Sequence, residues 1–341
     1  MEQIGWIAGH TCIYWSAVIR ALAALGAIFA FLAVYPRRRE QLLTCALGIP
    51  LALGLSLIFS RMACWWFRPD SYPDLKTALE FWKPGQGALV GVFAGCLVSA
   101  LLLRLVRLTD NLPELLDGMA IAAGFGIALG RLGAFFNDSD RGMVVPAHWS
   151  LPWADTVINP VSGMAECRLA VFLLQAMAAG GIFLVLVILW LRRRPGRGGR
   201  EGDLFFTFLL LYAASQAVLD STRYDTLYFR SNGFVSVVQV LSVLALVAAG
   251  AWFTPRPRGK GQWLAGSALH AARLGCLALA GYMEYYVQRH GAKAVLSYSV
   301  MGAALALFVL LTLGSRPVMK MAKMFRKSSK NQPDTIDMLP L

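Results

Sequence analysis

Apolar residues in this chain gather in long runs separated by short polar stretches, near 12–35, 41–60, 87–103, 118–136, 169–191, 204–222, 235–253, 264–284 and 295–314. A helix needs about 20 mostly apolar residues to cross the hydrocarbon core of a bilayer, so the pattern predicts nine transmembrane helices. The eighth run is interrupted by His270 and Arg273. The first is too long for the apolar region of a cleaved signal and follows no basic stretch, so it is expected to remain as a helix.

The polar positions orient these helices. Most Lys and Arg outside the runs follow the odd-numbered ones, with clusters at Arg37, Arg38 and Arg39, at Arg192, Arg193 and Arg194, and at Lys320, Lys323, Arg326 and Lys327. Basic residues collect on the cytoplasmic side, which predicts an N-terminus outside and a C-terminus inside. Seven helices would leave the ends on the same sides. The Trp residues sit near the ends of the runs, as an interfacial aromatic belt requires. The segments on the opposite side, 61–86, 137–168 and 223–232, mix Asp, Glu, Arg, Asn and aromatics, so chemistry is expected there.

Composition agrees. Of 341 residues, 57% are apolar and only 15% charged, and mean hydropathy is +0.57. Soluble domains carry about 25% charged residues, so a soluble enzyme, a disordered scaffold and a fibrous protein are excluded. A net charge of +13 suits anionic headgroups, and without a separate basic domain nucleic acid is not an expected partner. Six scattered cysteines and four distant histidines form no ligand spacing. Neither a metal nor another cofactor is expected. Glycines at 87, 91 and 95, and at 126 and 130, repeat every four residues, a spacing that lets helix backbones approach closely.

The stretch Gly130-Arg131-Leu132-Gly133-Ala134-Phe135-Phe136-Asn137-Asp138-Ser139-Asp140-Arg141-Gly142 stands out. An arginine at the end of a span is costly unless it meets an anion, water or a partner. Asp220 and Arg223 share one helical face at the end of the sixth run, as an ion pair or as a lipid grip. Arg20 lies inside the first run and needs a partner, water or a lipid cavity. His148, among Trp149 and Trp153, reads as an ordinary interfacial histidine.

G-R-x-G-x-F-x-N followed by a glycine five residues later resembles the signature of the prolipoprotein diacylglyceryl transferases. Further segments match in order: Ile13-Tyr14-Trp15, Arg61, Leu151-Pro152-Trp153-Ala154 with Arg168, Asp220-Ser221-Thr222-Arg223-Tyr224-Asp225, and Gln239 with Leu241-Ser242. The resemblance covers roughly 12–253. It implies an all-α polytopic transmembrane bundle of seven family-like helices plus two more. The domains are then 1–253, an extra hairpin at 254–315 and a basic cytoplasmic tail at 316–341. The implied activity is transfer of a diacylglyceryl group from phosphatidylglycerol to the lipobox cysteine of a prolipoprotein, at the outer face of the bacterial cytoplasmic membrane. The implied partners are phosphatidylglycerol, the prolipoprotein signal peptide and membrane lipid.

The chain departs from the family pattern at five places. Gln86 stands for a histidine, Ala134 for an asparagine, Ser139 for a glutamate with Asp140 beside it, Gln216 for an arginine, and Gln175 for the glutamate closing a histidine–proline element. The resemblance places Arg131, Asp140, Gln86 and Arg223 at catalytic positions. It places Arg61, Asn137, Gly142, Tyr14, Arg168 and Asp220 at substrate-binding ones. Arg61, Arg131, Arg168 and Arg223 all fall on the outer side, and any two of their guanidiniums converging would hold the lipid phosphate. Gln86 takes no proton at neutral pH, so Asp140 or Asp138 is the expected base. The same departures leave open a second role, that of a catalytically impaired relative which binds lipid or lipoprotein.

Overall fold

The computed structural model describes residues 4–8, 11–35, 39–81, 83, 85–159, 162–193, 200–229, 232–255, 260–290 and 294–315. Two short strands, β1 (Ile4–Ala8) and β2 (Thr11–Tyr14), pair antiparallel and lead into helix α1 (Trp15–Val34). Then follow α2 (Arg39–Phe67), a one-turn α3 (Leu75–Ala78), α4 (Leu89–Leu105) and α5 (Leu112–Leu132). An antiparallel hairpin of β3 (Ala154–Ile158) and β4 (Ala165–Leu169) precedes α6 (Val171–Leu191) and α7 (Asp203–Ser221). A last hairpin, β5 (Tyr228–Phe229) with β6 (Asn232–Ser236), precedes α8 (Val237–Phe253), α9 (Lys260–His290) and α10 (Ala294–Leu313).

Among the described residues, each of the nine apolar runs overlaps one long helix. Seven of these are long and apolar enough to cross a membrane, and α4 and α8 are shorter apolar helices. The chain is thus an all-α polytopic membrane bundle. Three differences from the sequence reading have physical causes. The first helix starts at Trp15 rather than 12, because Cys12, Ile13 and Tyr14 pair with β1. The second runs past 60 through the apolar Cys64–Phe67 and stops just before Pro69, so Arg61 lies inside it. The interrupted eighth run is the longest helix, at 31 residues.

The contacts divide the chain inside α8, into Met1–Val243 and a unit beginning at Leu244. The boundary expected from sequence, at 253, is the end of this same helix. The proposed tail at 316–341 lies outside the described residues.

In the first unit, Ile121, Ile127, Ala179, Leu186, Leu204 and Phe208 form a core between α5, α6 and α7. The glycine rows are where helices touch. A Cβ at Gly91 would sit 2.1 Å from the Phe59 carbonyl oxygen, and one at Gly95 would sit 2.5 Å from Ser56 Cα, so α4 packs backbone to backbone on α2. Gly126 and Gly130 face Ala27 and Ala23 of α1. In the second unit, buried Arg273 of α9 donates to the Gly250 carbonyl (3.1 Å), Thr254 Oγ1 (2.7 Å) and the Leu311 carbonyl (3.2 Å). Those carbonyls lie in the last turns of α8 and α10, where helix dipoles favour a cation. That is why the run tolerates an arginine.

Candidate active site

Arg131 occupies the last turn of α5, a favoured place for a cation. The chain then makes a short 3-10 turn, Gly133–Phe136, and reverses. Asn137, 7% exposed, accepts at Oδ1 from the Ser139 amide (3.0 Å) and hydroxyl (2.5 Å), which folds the loop onto itself. Asp140 follows in the left-handed region at φ 58°, a conformation that costs a non-glycine residue and aims its side chain back at the helix ends. Its carboxylate meets two guanidiniums, with Oδ2 2.7 Å from Arg131 Nη1 and Oδ1 2.5 Å from Arg223 Nη2.

Arg223, just past α7, also holds Asp225 (Nη2–Oδ1 2.9 Å) and lies 3.5 Å from Asp220 on the same face. Asp220, 1% exposed, accepts from the hydroxyls of Thr226 (2.6 Å) and Ser236 (2.5 Å). Asp225 Oδ2 in turn accepts from the Asp140 amide at 3.1 Å. Burial alone would raise the pKa of Asp140, but the Arg131 and Arg223 guanidiniums outweigh it and hold the carboxyl well below the usual carboxylate range. Arg223 likewise loses from burial and gains more from Asp140, Asp225 and Asp220, so its pKa moves up.

Gly142 brings the two loops together. It forms an antiparallel bridge with Arg223, and its amide donates to the Leu169 carbonyl at 2.8 Å. A Cβ there would come within 2.7 Å of Val171 and 2.9 Å of the Thr222 carbonyl, so glycine is required. Beside it, Arg168 pairs with Glu166 (2.8 Å), donates to the Gly142 carbonyl (3.3 Å) and lies over the Tyr224 ring.

Of the four outer arginines, Arg131 and Arg223 meet on Asp140, whereas Arg61 and Arg168 are engaged elsewhere. Arg61, 7% exposed, donates to the carbonyls of Ala78 (3.4 Å), Glu80 (3.0 Å) and Lys83 (2.7 Å), shaping the loop before α4. Tyr14 closes β2 and makes no polar contact with the cluster among the described residues. Gln86 is exposed and reaches the cluster through an intermediary. Arg68 donates to its Oε1 at 3.2 Å and also to the Asp225 carbonyl. The two replaced polar positions lower in the bundle meet each other, Gln175 Nε2 donating to Gln216 Oε1 at 2.9 Å.

Sequence reasoning missed Arg68 and Arg141. Arg141, 2% exposed, donates to the carbonyls of Ala134 (2.9 Å) and Ser139 (2.8 Å), pairs with Asp155 (2.5 Å) and stacks on Phe172. It latches the loop that carries Asp140. The usable signal was its place directly after Asp140 in the unusual stretch.

Fold and site define a polytopic membrane protein that assembles a buried ionic cluster from the ends of two spans and the loops between them. Guanidiniums in such a cluster suit an anionic group at headgroup depth. The family model for prolipoprotein diacylglyceryl transferase matches residues 4–254, and the chain belongs to that family. It is 26% identical over 243 residues to a phosphatidylglycerol–prolipoprotein diacylglyceryl transferase of Shouchella clausii, covering 71% of this chain and 85% of that one. A protein of the same name from Streptococcus equi subsp. zooepidemicus is 27% identical over 262 residues, covering 76% and 97%. Another from Lactococcus lactis is 25% identical over 252 residues, covering 72% and 91%.

Proposed function

We propose that this protein transfers the diacylglyceryl group of phosphatidylglycerol to the lipobox cysteine of prolipoproteins, working at the extracytoplasmic face of a bacterial cytoplasmic membrane. The observation that carries the reading is the pair of guanidiniums, Arg131 and Arg223, sharing one carboxylate at the helix ends. Family membership and the relatives' names supply the reaction class.

In the proposed reaction the cysteine sulfur attacks the diacylglyceryl carbon that is bonded to phosphate oxygen. The S–C bond forms, the C–O bond breaks, and its electron pair leaves on the glycerol phosphate. Arg131 and Arg223 bind the phosphate oxygens and offset the charge that develops there, a role worth about 10²–10³ in rate per donor. The thiol proton ends on the departing phosphate, whose second pKa is about 6. Asp140, held deprotonated between two cations, is a poor base, so we assign it the positioning of Arg131 and Arg223 rather than the proton transfer expected from sequence. Arg68 and Gln86 tie the loop before α4 to Asp225, and Gly142 fixes the opposite wall. The C-terminal helix pair and the tail are assigned no chemical role.

The test reconstitutes the protein in phosphatidylglycerol vesicles with a lipobox peptide and follows the peptide's mass. Addition of a diacylglyceryl group by the wild type, and about 10²–10³-fold slower addition by Arg131→Gln, is expected. An absence of product from every phospholipid donor would contradict the reading. It would favour the lipid-binding relative, which the exposed, unprotonatable Gln86 at a histidine position supports.

A further inference from the structure

Arg20 is unlike every other arginine near the candidate site. Arg61, Arg68, Arg131, Arg141, Arg168 and Arg223 each donate to a carboxylate, a carbonyl or an amide oxygen. Among the described residues Arg20 makes no hydrogen bond and no ion pair, and it is exposed. Yet it sits inside an apolar helix of membrane-spanning length, five residues past its start at Trp15. A charge in such a place persists when it snorkels to the interface or meets an anion.

Its position argues for the anion. Ser16, Arg20, Ala23 and Ala27 follow one another at helical spacing on the stripe of α1 that packs on the end of α5. A Cβ at Gly133 would meet the Ser16 carbonyl at 3.1 Å and Arg20 Cγ at 3.6 Å, while Gly130 and Gly126 face Ala23 and Ala27. The Arg20 stem therefore crosses the chain two residues beyond Arg131. Its charge is also felt by Asp140, the carboxylate that joins Arg131 to Arg223. Inside the cluster three carboxylates already occupy those two guanidiniums. Arg20 is the one described arginine at this end with its donors uncommitted.

We infer that Arg20 is a third phosphate-binding cation, which takes the phosphate of an anionic lipid on the membrane-facing side of α1 and hands the headgroup to Arg131 and Arg223. The inference rests on the transferase reading for its kinetic consequence and on the lipid phosphate alone for its binding consequence.

The experiment compares wild type, Arg20→Gln and Arg20→Lys in phosphatidylcholine vesicles of rising phosphatidylglycerol content. Loss of one charge-assisted contact predicts an apparent KM for phosphatidylglycerol about tenfold higher in Arg20→Gln. The kcat should stay close to wild type, and Arg20→Lys should recover most of the loss. Phosphatidylglycerol retained through purification, measured by mass spectrometry, should fall in Arg20→Gln and recover in Arg20→Lys. An unchanged KM and unchanged retention overturn the inference. So does a loss in Arg20→Gln that Arg20→Lys does not relieve, since that marks packing. Soluble glycerol phosphate competing as well as the lipid, with equal dependence on Arg20, also overturns it and marks a free-phosphate site. If the wild type transfers nothing, the transferase reading fails by itself, and the retention measurement still decides the role of Arg20.

Discussion

The two ends of α5 use the same chemistry to different effect. Near its start, buried Asp117 accepts from Arg193 Nη1 (2.7 Å), from the Gly202 amide (2.9 Å) and from the Phe205 amide (2.8 Å). One carboxylate thereby neutralises the arginine after α6 and satisfies free amides in the first turn of α7, where a helix dipole favours an anion. Those contacts tie α5 to the segment after α6 and to the start of α7. Near its finish, Asp140 also takes two charged partners, but the accounts do not close. Arg131 Nε is buried without a partner, and Arg20 nearby is exposed and makes no hydrogen bond or ion pair among the described residues. A carboxylate that spends both oxygens on neighbouring backbone and side chain holds a fold, and a cluster that leaves a buried guanidinium nitrogen unpaired can hold a ligand.

The largest effect that separates the ends is on chemistry. Arg131→Gln should lower diacylglyceryl transfer by about 10²–10³, and equal transfer by variant and wild type would erase the distinction. Next comes Asp117→Asn, which removes a charged acceptor from three donors and should cost about 2–3 kcal/mol of stability. That variant should lower the unfolding temperature in detergent while transfer per folded molecule stays at the wild-type level. A loss of turnover without a loss of stability would reverse the roles of the two ends.

A pH series is a smaller and sharper probe. The Asp140 carboxyl is held below its ordinary value of about 3.9. Its stabilising contribution is therefore whole above that ordinary value and is lost as pH falls below it. Unfolding temperature should stay level in this respect from about pH 5 to 8 and drop below about pH 4. A transfer profile with a midpoint near neutrality that vanishes in Asp140→Asn would instead make Asp140 the base. The smallest effect is expected at the rim, where Arg168→Ala breaks a partly exposed pair with Glu166 and should cost less than about 1 kcal/mol in stability.

Much of this was legible in the chain because membrane burial writes long apolar runs. The helices follow from run length, and the glycine rows from the need for close backbones. Arg131, Asp140, Asp220 and Arg223 were visible as charges at span ends. The loop hairpins were not, since their strands of two to five residues lie in polar segments with no sustained alternation. The contacts of Arg61 were not legible because its partners are carbonyls 17 to 22 residues away, and a carbonyl leaves no trace in the side-chain pattern. Arg68 reaches Asp225 across 157 residues. Asp140 looked like a base in one dimension. Only the meeting of two spans turns it into a clamped anion.

The central claim is that Arg131 and Arg223 hold a lipid phosphate. Solid-state NMR on arginine-labelled protein in phosphatidylglycerol bilayers measures it directly, through the coupling of phosphorus to guanidinium nitrogen. Charge-assisted contact predicts a separation of about 4 Å in the wild type, with a signal that weakens in Arg131→Gln as one of its guanidiniums is lost. An identical phosphorus–nitrogen signal in both proteins would contradict the account.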